Sequence, residues 1–173
     1  MNILYIVIAI ISLLILYFLS GFCFALVARK KSSKVDKELD KLVDFEIERG
    51  KVVLKEINIL KSNNFKFDDE TYKFIKSAID NFSKLNTKER ATYKNTIDFV
   101  ALYLVKIYSE DPKFGKMIPN DLASEFKEYQ KISDEKYKIY NKKAGSYNAL
   151  LFMPFTKTAL KILKADPNMK QVF

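Results

Sequence analysis

Ile3-Leu4-Tyr5-Ile6-Val7-Ile8-Ala9-Ile10-Ile11-Ser12-Leu13-Leu14-Ile15-Leu16-Tyr17-Phe18-Leu19 continues through Ser20 and Gly21 to Phe22-Cys23-Phe24-Ala25-Leu26-Val27-Ala28, and no charged side chain interrupts it from Met1 onward. A hydrocarbon core about 30 Å thick is crossed by roughly 20 apolar residues in a helix, so this stretch predicts a transmembrane helix with length to spare. A cleaved secretory signal would carry positive charge before an apolar core of about 7–15 residues. Here only Met1 and Asn2 precede a longer core. A lipoprotein signal would place small residues just before its cysteine, whereas Cys23 follows Ser20-Gly21-Phe22. An uncleaved anchor is the expected reading.

Charge sets the expected orientation. Arg29, Lys30, Lys31, Lys34, Lys37 and Lys41 all follow the apolar stretch, and no lysine or arginine precedes it. Basic residues within about 15–20 positions of a span are retained on the cytoplasmic side. The expectation is a single-pass protein of the inner (plasma) membrane, its N-terminus outside and its body in the cytoplasm. Arg29, Lys30, Lys31 and Lys34 form its juxtamembrane basic set.

The remaining chain has the size of one domain. Four glycines and four prolines among 173 residues disfavour a turn-dense β fold. The net charge of +9 is dispersed and almost wholly lysine, with arginine only at Arg29, Arg49 and Arg90. A nucleic-acid site favours arginine forks interleaved with aromatics, so no nucleic-acid partner is expected. A lysine-rich surface beside anionic lipid accounts for the charge, making the bilayer the expected partner.

Working outward, helical periodicity repeats. From Lys34 to Lys61, Leu39, Leu42, Val43, Ile47, Val53, Leu54, Ile57 and Leu60 recur at mostly three- and four-residue steps, with Gly50 in the gap. The intervening charges read as solvated pairs, such as Asp36 with Lys37 and Lys41, and Glu48 with Lys51 and Lys55. Only two serines separate Ala28 from Val35 as weak helix formers, so the membrane helix is expected to run on as a stalk. Asp68 or Asp69 can cap a helix from Glu70 to Leu85 with Tyr72, Ile75, Ile79, Phe82 and Leu85 on one face. Asn86 and Glu89 have capping-box spacing for a helix over Lys88–Ser109, whose face is Tyr93, Ile97, Val100, Ala101, Leu104, Ile107 and Tyr108. The Glu110–Asn120 stretch, with two prolines and a glycine, reads as a loop. A long helix from Asn120 or Asp121 to Phe152 follows, striped by Leu122, Phe126, Tyr129, Ile132 or Ser133, Tyr137, Tyr140, Ala144, Tyr147 and Leu151. Beyond Pro154, Phe155–Lys164 is a short amphipathic piece and Ala165–Phe173 is aperiodic. The expected class is all-α: an N-terminal transmembrane helix, then an antiparallel bundle of about four long helices. The expected boundaries are 1–33 for the anchor with its basic edge, 34–165 for the bundle and 166–173 for a tail.

Tyr140-Asn141 and Tyr147-Asn148 stand seven apart, so on a helix they superpose as one ridge. Tyrosines there would bury rings and seek hydroxyl partners, and asparagines would fix register or bridge to a neighbour. The ridge is thus a candidate packing or partner surface. A Tyr-Asn heptad repeat ending a long helix, followed by Phe152-Met153-Pro154, resembles the LemA family, as does the order of membrane span, stalk helix, Tyr108-Ser109-Glu110-Asp111-Pro112 and long helix. The chain departs from that family in having no tryptophan in the stalk and no arginine-rich stretch leading to Pro-Asn-Leu-Val. The resemblance implies a bacterial membrane-anchored antiparallel helical bundle, with membrane proteases, envelope-stress or export systems as the partner class.

Catalytic groups are scarce. With no histidine, a His-assisted nucleophile and His-ligated metal are excluded. The one cysteine lies in the apolar stretch, and the four glycines are isolated, so no phosphate loop exists. Asp68-Asp69-Glu70 reads better as a helix N-terminus than as a cation site. The sequence therefore predicts no enzyme, cofactor, metal or small-molecule substrate. It predicts a membrane-anchored scaffold or adaptor for a protein partner; the alternative is a structural lipid-binding or membrane-remodelling protein using Lys-rich amphipathic helices.

Overall fold

The computed structural model describes residues 2–116 and 121–173. All regular structure among them is helical, without a strand. The apolar stretch and the stalk form one unbroken helix, α1, Asn2–Ser62, long and apolar enough to cross a membrane by length and composition. Next come α2, Asp69–Asn81, and α3, Thr87–Glu110, joined through a 3₁₀ turn at Phe82–Lys84 that ends α2 before the expected Leu85. Both expected caps form. Asp68 accepts from the Thr71 N–H at 2.8 Å, and Asn86 and Glu89 close a capping box. Of the loop expected from Glu110, Glu110 itself ends α3 and a short helix follows, α4, Pro112–Gly115, since Pro112 suits a first helical position and Asp111 caps the Lys113 N–H. The rest of that loop, and the start proposed at Asn120, lie at 117–120, outside the described residues. The long helix is α5, Leu122–Leu151, and the piece after Pro154 gives α6, Thr156–Ile162.

The chain divides into two compact units, one of Met1–Leu39 and Ile139–Val172, the other of Asp40–Lys138 with Phe173. In the first, Ile3–Leu19 of α1 is exposed throughout. Burial begins at Gly21, Ala25 and Ala28, one face of small residues that admits a close neighbour. That neighbour at Gly21 is the turn after α5: a Cβ on Gly21 would lie 2.7 Å from the Phe155 Cβ. Phe155 itself is left-handed, with φ of 59°, a conformation costing a non-glycine residue about 1–3 kcal/mol. Its ring lies 4.6 Å from Phe18 and 6.0 Å from Phe22, a packing that holds it there. Further along, Lys31 donates to Ser146 and Lys143 pairs with Glu38, so α1 and the end of α5 run in opposite directions.

The second unit carries the larger core. Every residue of the expected α3 face is buried, as are Leu122, Phe126 and Tyr137 of the α5 stripe. Where the stripe offered Ile132 or Ser133, Ser133 is the buried one. The gap in the α1 stripe holds Arg49 and Gly50, both buried, with buried Glu46 just before it. A Cβ on Gly50 would come within 1.9 Å of the Tyr93 hydroxyl, so only glycine lets that ring cross α1 and donate to the Glu46 carbonyl at 2.8 Å.

Candidate functional site

The Tyr-Asn ridge falls in the first unit, and the structure shows what it holds. Tyr140 and Tyr147 are buried because heptad spacing keeps both on the inner face of α5. The hydroxyl of Tyr147 donates to the Asp166 carbonyl at 2.7 Å, and that of Tyr140 to the Gln171 carbonyl at 2.9 Å. Asn148 makes two bonds to one residue: its Nδ2 donates to the Lys170 carbonyl and its Oδ1 accepts from the Lys170 N–H, both at 2.8 Å. A primary amide presents the same donor and acceptor as a peptide unit, so Asn148 pairs with Lys170 much as a neighbouring strand would. Asn141 lies half-buried on the same helix.

The C-terminal segment is thus laid along the ridge and read through its backbone. One side-chain contact adds selectivity. The Lys170 Nζ pairs with Asp36 at 3.0 Å and Asp166 at 3.1 Å. Partial burial lowers the Lys170 pKa, but the bonds to those carboxylates outweigh it and the net shift is upward. Asp36, expected to pair with Lys37 and Lys41, has its ion pair with Lys170, 134 positions later. No residue from Leu163 to Val172 is buried, so apolar burial adds little to the four backbone bonds.

The juxtamembrane basic residues separate by role. Arg29, Lys30 and Lys34 are exposed, whereas Lys31 is half-buried through its 2.7 Å bond to the Ser146 hydroxyl. Lys31 and Lys34 meet Lys142 and Lys143 of α5 around a groove of about 430 Å³, floored by Val35 and Ile139. Sequence reading found the first two lysines. The second two belong to it only because α5 returns alongside α1.

A polar centre in the second unit was not anticipated. Buried Glu46 accepts from Ser133 and lies 3.6 Å from Arg49, which bonds Asp98. Lys94 extends the series, 3.1 Å from Asp98 and 2.8 Å from Asp134. Burial pushes the Glu46 carboxyl above the usual carboxylate range, against the opposing pull of Ser133 and Arg49. The Tyr93 and Tyr137 hydroxyls are pushed well up, also by burial first and by Glu46 next. A small cavity of about 40 Å³ lies beside Arg49 and Asp98, lined also by Phe126 and Gln130. The sequence did carry a signal. Arg49 and Gly50 stand three and four after Glu46, itself seven before Val53, on the apolar face rather than opposite it.

Asp68 and Asp69 are engaged as the cap of Thr71 and as a 2.7 Å partner of Lys61. Among the described residues no group of three or more histidine, cysteine or acidic side chains converges on a metal position. No family model, curated protein or solved structure matches the chain.

Proposed function

We propose that this chain is a membrane-anchored, non-catalytic scaffold or adaptor, a LemA-like antiparallel helical bundle that holds an extended segment of a protein partner on its Tyr-Asn ridge. The observation that carries this reading is the ridge's chemistry. Four hydrogen bonds of the ridge go to backbone groups of the C-terminal segment, which is how a protein binds peptide with little regard for its side chains. The chain's own tail occupies the ridge and, being nowhere buried, is a segment that a competitor can displace. Lys170 with Asp36 adds a preference, a basic residue opposite Asn148. The charges of the second unit support a structural role there, because they pair with one another across three helices.

Anchoring by Ile3–Ala28, with the basic residues that follow it on the cytoplasmic side, completes the reading. The resemblance adds membrane proteases, envelope-stress or export systems as the partner class. Proximity labelling from an enzyme fused after Phe173 tests it. Labelled cytoplasmic and membrane neighbours are expected, and Tyr147→Phe with Asn148→Ala should deplete one of them without moving the protein from the membrane fraction. Labelling confined to extracytoplasmic proteins would refute the orientation.

The four-lysine groove favours a second reading, a lipid-binding or membrane-remodelling protein, since it can gather an anionic headgroup against an apolar floor. Deformation of vesicles by the reconstituted full chain would select this reading over the adaptor.

A further inference from the structure

The turn between α5 and α6 presents apolar side chains that nothing among the described residues covers. Phe152 is 72% exposed and Met153 41%, with Pro154 exposed beside them. Scattered exposed apolar residues are ordinary, but these are consecutive and tied to a specific level of α1. Phe155 packs on Phe18, Gly21 and Phe22, at the end of the exposed apolar stretch.

That level can be placed against a bilayer. At 1.5 Å per residue, a helix entering the hydrocarbon near Ile3 needs roughly 20 residues to cross about 30 Å, and so leaves it near Phe22. The Phe155 contact therefore coincides with the inner edge of the hydrocarbon. Just beyond, Lys157, Lys161 and Lys164 are exposed on α6 and after it, and the Lys157 Nζ lies 6.0 Å above the Phe152 ring. Aromatic and apolar tips backed by lysines match the boundary between acyl chains and anionic headgroups.

We propose that the Phe152-Met153-Pro154-Phe155 turn is a second membrane contact, a wedge seated in the acyl-chain side of the same leaflet that α1 leaves. It deepens the anchoring proposed above and rests on α1 spanning the bilayer. The left-handed Phe155 and the missing Cβ at Gly21 lock the wedge to α1, so the anchor is two-point: a helix that crosses and a turn that dips. Two points fix the azimuth of the first unit about the helix axis, which a lone helix leaves free to rotate.

The chain has no tryptophan, so a single introduced indole reports its own depth. Full-length Phe152→Trp, Ile8→Trp and Ile139→Trp are reconstituted into phosphatidylcholine–phosphatidylglycerol vesicles containing brominated acyl chains, with circular dichroism verifying unchanged helicity. All three sites are exposed, so the substitutions leave the packing alone. Ile139 lies 13 residues before Phe152 on α5, about 20 Å along the helix. Phe152→Trp should be blue-shifted and quenched comparably to Ile8→Trp, and several-fold more than Ile139→Trp. Quenching at Ile8 without quenching at Phe152 would overturn the wedge while leaving the span intact. No quenching at Ile8 would overturn the span and the wedge with it. Equal quenching at all three sites would also overturn the wedge, because the turn would then hold no special depth.

Discussion

The two units bury polar groups in opposite ways. In the second, charges are taken into the core and answered by charges, as Glu46, Arg49, Asp98, Lys94 and Asp134 alternate in sign across three helices. In the first, neutral tyrosine and asparagine side chains are answered by backbone. The difference matters energetically. A buried charge that loses its partner is left uncompensated, whereas a ridge that loses its segment is rehydrated by water. The first arrangement fixes a structure and the second leaves one exchangeable.

Removing Arg49 should break the comparison most severely. Arg49→Ala leaves Glu46 buried without its cation, and a loss of about 3–5 kcal/mol is expected for such a pair; chemical denaturation measures it. Gly50→Ala comes next. Its Cβ would drive the Tyr93 hydroxyl off the Glu46 carbonyl, and an overpacking cost of about 1–3 kcal/mol should appear as a lowered Tm. Asn148→Ala should act locally. Amide exchange at Lys170 should accelerate by the equivalent of about 1–3 kcal/mol while global unfolding barely moves. A comparable loss of global stability would mean that the tail belongs to the core rather than resting on it.

Two smaller effects sharpen the contrast. Glu46 has a folded-state pKa above its ordinary value of 4.5, so between the two values the folded state binds the proton more tightly. Its contribution to stability therefore falls as pH rises through that window. Relative to wild type, Glu46→Gln should gain Tm as pH is raised from 4.5, in a series of melts at constant ionic strength. Gly145→Ala meets nothing within 4 Å and lies mid-helix, so it should stabilise by about 0.5–1 kcal/mol.

Much of this was written in the periodicity. The buried faces of α3 and α5, the caps at Asp68 and Asn86, and the passage of the apolar helix into the stalk follow from spacing and local hydrogen bonding, which need no knowledge of distant partners. Glu46 and Arg49 carry charge, which residue type alone directs to solvent, although their spacing places them on the apolar face. The ridge was legible as a ridge from Tyr140 and Tyr147, but its occupant was not. Asn148 reaches Lys170 through backbone atoms that every sequence shares, so no side-chain pattern in Asp166–Phe173 announces the pairing. The turn at Phe155 was equally hidden, since a left-handed phenylalanine is selected by its neighbours and not by its own preference.

The composition of the first unit from Met1–Leu39 and Ile139–Val172 also has a consequence in time. Translation at about 5–20 residues per second separates its two parts by about 5–20 s, during which the Gly21-Ala25-Ala28 face is already made but its cover is not. A polypeptide released early would carry Gly21 without the Phe155 turn that packs on it. Closure of the turn over Gly21 therefore waits on the synthesis of Phe155.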